Sequence, residues 1–165
     1  MRILGVDPGL KNIGWGVIDS TSHQRLLKYL GHGVIETSSS WKLADRLKHL
    51  HDEFIKIITE YEPTMLANEA LLFQKNVSSA LPVAHARGVI LCLSAVHQLE
   101  IKSFAPNTIK QAVTGNGHAT KSDIQQMVKI LLKLHIVPQS DHAADALACA
   151  ITAAYGTPCV SDKLT

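Results

Sequence analysis

The chain has 165 residues, 46% of them hydrophobic, with a formal charge of +2 and three cysteines. That length suits one domain with a sizeable core, and no apolar run approaches the eighteen or so residues of a membrane helix. Cys92, Cys149 and Cys159 are odd in number and lack CxxC spacing, which argues against a zinc site or a disulfide framework. Cys92 and Cys149 sit in apolar runs and are expected in the core. The start, MRILGVDPG, enters a strand-like run with no signal-peptide h-region, so the expected location is cytoplasmic.

Residues 2–7 form a short apolar run closed by Pro8-Gly9, the pattern of a buried strand. Residues 13–19 and 26–36 read as two more strands, with Gly31 and Gly33 signalling a bend or bulge. Short connections between them indicate an antiparallel meander. The period then changes: Leu43, Leu47, Leu50, Phe54, Ile58 and Tyr61 mark an amphipathic helix ending before Pro63. A strand at 65–69, a long helix at 77–99 and a strand at 101–104 follow. Helical patterns then cover 108–113 and 122–134, separated by Thr114-Gly115-Asn116-Gly117-His118, and a last helix spans 141–155. This order predicts one α/β domain over 1–156, with a mixed five-stranded sheet flanked by helices: three antiparallel strands, then parallel ones. Residues 157–165 read as a short frayed tail.

Charge is uneven along this layout. Residues 102–135 carry five lysines (Lys102, Lys110, Lys121, Lys129, Lys133) against one acid, Asp123, and the rest of the chain is net negative. Such a local basic excess suits a phosphate-bearing partner, or equally a set of solvated helix faces.

The acids fall at element ends. Asp7 closes the first strand and Glu69 the fourth, while Asp145 lies one turn inside the last helix with His142 at i−3 and Asp141 at i−4 on its face. Each has a plain alternative: Asp7 as a turn former, Glu69 as a strand-end acid, Asp141 as a helix N-cap. Together they can converge where a helix crosses strand ends. Clustered carboxylates raise one another's pKa, and a hard divalent cation relieves the repulsion.

Several segments match one family. GVDPGLKNIGWGVID, NEALLFQKNVSSAL, HARGVI, PNTIKQAVTGNGHATKSDIQQMV and DHAADALACA occur in order across residues 1–155 and resemble the motifs of RuvC Holliday-junction resolvases. The resemblance implies an RNase H-like fold and metal-dependent cleavage of four-way DNA junctions in recombination and repair, leaving 5′-phosphate and 3′-hydroxyl ends. It places the metal-site residues at Asp7, Glu69, His142 and Asp145, with two Mg²⁺ ions per site and Mn²⁺ as an alternative. Lys110 and Lys121 fall where the family approaches the scissile phosphate. Leu72, Phe73, Lys75 and Asn76 fall on the DNA-contacting loop. Two departures stand out: His142 occupies a position that is usually Asp, and Leu72 one that is often aromatic, with Phe73 next to it. The implied partners are the junction, a second copy of the chain and the RuvA–RuvB branch-migration complex, in a bacterial cytoplasm. Ala80, Ala84, Ala86 and Gly88 on the long helix are the candidate dimer face, with packing on the sheet as the alternative.

Other readings are weaker on motif grounds. DPG with Gly14 also resembles the phosphate loop of actin-like and sugar-kinase ATPases, which need two such domains. GHATKS lacks the glycine that a Walker A loop places before its lysine. RuvC-like nucleases of ribosomal RNA precursors share the first motif but not the TGNG stretch. A catalytically silent junction-binding module is the expectation if His142 spoils the metal site.

Overall fold

The computed structural model describes residues 1–21, 26–70 and 77–160, with the backbone alone for 77–80. The sheet has five strands: β1 (Arg2–Asp7), β2 (Asn12–Ser20), β3 (Leu27–Glu36), β4 (Met65–Glu69) and β5 (Glu100–Phe104). Their order is β3-β2-β1-β4-β5. The first three strands pair antiparallel, and β4 and β5 add in parallel, as the element order predicts. Central β1 is apolar on consecutive residues because both its faces are covered.

Helices α1 (Leu43–Tyr61) and α2 (Val77–Val96) cover one face. Helices α3 (Pro106–Thr114), α4 (Lys121–Leu131) and α5 (Asp141–Ala154) cover the other. Phe54, Leu50 and Ile90 fill the first layer, and Phe104, Leu147 and Ile151 the second. Among the described residues, no helix is long and apolar enough to cross a membrane.

Two glycines decide how close α5 lies to the sheet. A Cβ at Gly5 would run into the Ala146 carbonyl, and one at Gly14 into that of His142. With only hydrogens there, the alanine-rich α5 rests directly on β1 and β2, buried over most of its circumference.

The glycine-rich third strand does carry an irregularity. Val17 pairs with Gly31 and Ile18 with Tyr29, so Leu30 is an extra residue. Within the described part of the expected tail, the Val160 amide donates to the Ser103 carbonyl of β5 at 2.9 Å. Cys149 is buried as expected, but Cys92 is exposed: it lies on the face of α2 that turns away from the sheet.

Candidate active site

β1 and β4 run parallel and in register, with Val6 opposite Asn68, so Asp7 and Glu69 emerge at the same edge of the sheet. The close seat of α5 brings its first turn over that edge. His142 Nδ1 lies 2.7 Å from Asp7 Oδ2, and Asp145 follows one turn later. Asp7 is largely enclosed, its side chain 19% exposed, against 39% for His142.

The carboxylates feel one another. Burial, then the charge of Asp7, then that of Asp145 push Glu69 up to about 7, with Lys110 opposing. Burial and then Asp7 push Asp145 up to about 6, with Lys121 the strongest opposing charge. Both lysines thus stand within electrostatic reach of the acids, Lys110 on α3 and Lys121 at the first residue of α4. A capping box between Thr120 and Asp123 fixes that start of α4.

Asp141 plays a different part from the expected N-cap. Ser140 holds the cap position, and Asp141 turns towards α4. It accepts from Gln125 Nε2 at 2.8 Å and pairs with Lys121 Nζ at 3.4 Å. Of the two neighbours on the Asp145 face, His142 therefore meets Asp7, and Asp141 braces α4 against α5.

Asp7, Glu69, His142, Asp145, Lys110 and Lys121 are thus gathered at one end of the sheet. Leu72, Phe73, Lys75 and Asn76 lie outside the described residues. Ala86, expected on a dimer face, is fully buried because its side of α2 packs on the sheet. Gln125 escaped the sequence reading, although it lies one turn beyond Lys121 on the same face of α4. So did a polar chain beneath Glu69: Arg87 Nη2 donates to Ser103 Oγ at 3.2 Å, which donates to buried Asn68 Oδ1 at 3.0 Å. Polar residues at inward strand positions were its only trace.

Three carboxylates and an imidazole form a donor set suited to a hard or borderline divalent cation. Among the described residues no three His, Cys, Asp or Glu side chains stand as a group that could hold a metal ion without rearrangement. The raised pKa values of Glu69 and Asp145 show what a cation would relieve: enclosed, mutually repelling acids. On donor chemistry and charge, the residues fit.

The sequence profile of one family, "Crossover junction endodeoxyribonuclease RuvC", matches residues 3–153. The chain belongs to the RuvC family. RuvC of Alkaliphilus oremlandii is 48% identical over 155 residues, covering 94% of this chain and 93% of that protein. RuvC of Treponema pallidum is 47% identical over 150 residues, covering 91% and 76%. Among solved structures, Thermus thermophilus RuvC in complex with a Holliday junction substrate superposes with a TM-score of 0.87. It is 30% identical, with 94% of each chain covered. The RuvC assignment makes the chain a nuclease of the crossover-junction class on an RNase H-like sheet, in a family of metal-dependent enzymes.

Proposed function

We propose that this chain resolves four-way DNA junctions by paired, symmetric hydrolysis of phosphodiester bonds at the site built on Asp7, Glu69, His142 and Asp145. The observation that carries the reading is the gathering of these four side chains at the carboxyl edge of β1 and β4 in a RuvC-family chain. The expected cofactor is a pair of Mg²⁺ ions, with Mn²⁺ able to replace them. When bound, such ions activate water as the nucleophile and offset charge on the leaving 3′-oxygen.

The chain's own residues supply the rest. Asp7, on the central strand, would hold the ions together with Glu69, Asp145 and His142. The bond to Asp7 favours the His142 tautomer with its proton on Nδ1, which leaves Nε2 able to ligate a metal or take up a proton. Lys110 and Lys121 neutralise the scissile phosphate as charge develops on it. The Asp141 brace sets where Lys121 begins its reach.

A junction must be nicked on two opposed strands, so a two-fold dimer is part of the proposal. The outer stripe of α2 is the face for it: Leu81 (53% exposed), Gly88, Cys92 and Val96 (68%) follow helical spacing. Gly88 leaves open space beside the helix. Association with the RuvA–RuvB complex completes the reading.

The test is cleavage of a synthetic four-way junction with Mg²⁺ or Mn²⁺. Expected are paired nicks on opposed strands whose 5′-phosphate ends a ligase seals directly. Binding without cleavage in either metal would instead mark a silent junction-binding module.

A further inference from the structure

The far end of the sheet carries a second feature. β3 is an edge strand, ten residues long, and among the described residues it pairs only with β2. Long uncovered edges invite another strand, and proteins normally blunt them. Here the edge instead borders a groove of about 720 Å³ between β3 and the turn after α4. The bulge at Leu30 shapes its floor. Leu27 and Tyr29 pack on the α5 side of the sheet, whereas the Gly31 position faces Tyr61 on the other. Two successive residues, Leu30 and Gly31, thus share the α1 side, and His32 returns beside Tyr29, bonded to its hydroxyl at 2.8 Å.

The opposite wall is built with some strain. Lys133 holds φ 53°, a left-handed position that helix ends usually give to glycine. The turn closes with the Leu134 amide on the Lys129 carbonyl at 2.9 Å. Leu134 is thereby set into the groove, while Ile136 stands 68% exposed at its mouth. Among the described residues the lining holds two lysines, Lys28 and Lys133, and two histidines, but no acid.

We infer that this groove takes an extended acidic peptide from a partner protein, which adds as a strand to the free edge of β3. Apolar side chains on alternate positions would enter against Leu27, Tyr29 and Leu134. Acidic ones between them would meet Lys28, on the opposite side of the strand, and Lys133 at the rim. The groove is distinct from the cleavage site. Tyr29 and Leu27 pair with Ile18 and Ser20, four and six residues along β2 from Gly14, the partner of Asp7. At about 3.3 Å per residue that is roughly 13–20 Å along the strand.

The test uses fluorescence polarisation with a labelled eight-residue peptide alternating aspartate and isoleucine, and a lysine–isoleucine counterpart. Saturable binding of the acidic peptide alone below about 100 µM protein is expected. Ile136→Asp should weaken it tenfold or more. Lys133→Gly, which suits the left-handed turn, should weaken it three- to tenfold. Both variants should cleave junctions within twofold of wild type. Equal binding of both peptides, or of neither, overturns the inference. Displacement of the peptide by four-way junction DNA, with loss of junction affinity in Ile136→Asp, would give the groove to DNA instead. A shift of that variant from dimer to monomer would give it to a second copy of the chain.

Discussion

His142 Nδ1 stands 2.7 Å from Asp7 Oδ2 across 135 residues of sequence. The contact exists because glycine at positions 5 and 14 lets α5 touch the sheet. It joins a strand-end carboxylate to a helix-borne imidazole at the point where cleavage chemistry is proposed. Asp7→Asn keeps the shape and removes the charge. Cleavage should fall by more than a hundredfold while junction affinity stays within threefold, because affinity rests mainly on basic contacts to phosphates. Cleavage within tenfold of wild type would remove Asp7 from the metal site.

The two lysines can be separated from bulk electrostatics. Lys110 and Lys121 act on the half-buried acids, whereas Lys129 lies two turns further along α4. Lys110→Ala and Lys121→Ala should each lower the single-turnover cleavage rate at least tenfold with little change in affinity. Lys129→Ala should leave both near wild type. Equal, modest losses at all three would reduce the lysines to a solvated basic face.

Most of the fold was legible because the apolar period changes cleanly at each boundary. Asp7 and Glu69 stood out because each ends a strand. The choice between His142 and Asp141 was not available from spacing, since both share the Asp145 face. Tertiary contacts, which helical spacing does not encode, set His142 against Asp7 and Asp141 against Gln125. Ala86 and Cys92 were misplaced for a related reason. α2 is apolar nearly all round, so its pattern does not tell which side meets the sheet.

That choice has a measurable consequence. His142→Ala should cripple cleavage, and His142→Asp should retain it. Imidazole is softer than carboxylate and removes one negative charge, so wild type should cleave faster with Mn²⁺ than with Mg²⁺ at equal concentration. His142→Asp should narrow that gap. Asp141→Ala loses one hydrogen bond and an exposed ion pair, and should cost about 1 kcal/mol of stability. Its cleavage rate should drop less than that of His142→Ala. The reverse ranking would move the fourth site residue to Asp141.

The enclosed acids also set how the metal-free protein responds to pH. Glu69 rises from 4.5 to about 7 on folding, and Asp145 from 3.8 to about 6. Between those limits the folded chain holds protons that the unfolded chain releases. Their contribution to stability is therefore complete below about pH 4 and is lost as pH climbs to 7. Asp52 and Asp123 are shifted down and work in the opposite sense, but only in more acid solution. His32, lowered by burial, opposes the trend near neutrality, so the comparison that isolates Glu69 is with Glu69→Gln. Allowing for partial exposure, Glu69 should contribute on the order of 1–2 kcal/mol of this loss. In a chain of 165 residues that corresponds to a fall in melting temperature of roughly 3–6 °C. With chelator present, wild type should lose that much more than Glu69→Gln between pH 4.5 and 7.5. Millimolar Mn²⁺ at pH 7.5 should restore wild type and leave Glu69→Gln with a smaller gain. Parallel melting curves for the two proteins across the range would show that Glu69 is not held as an enclosed, repelled acid.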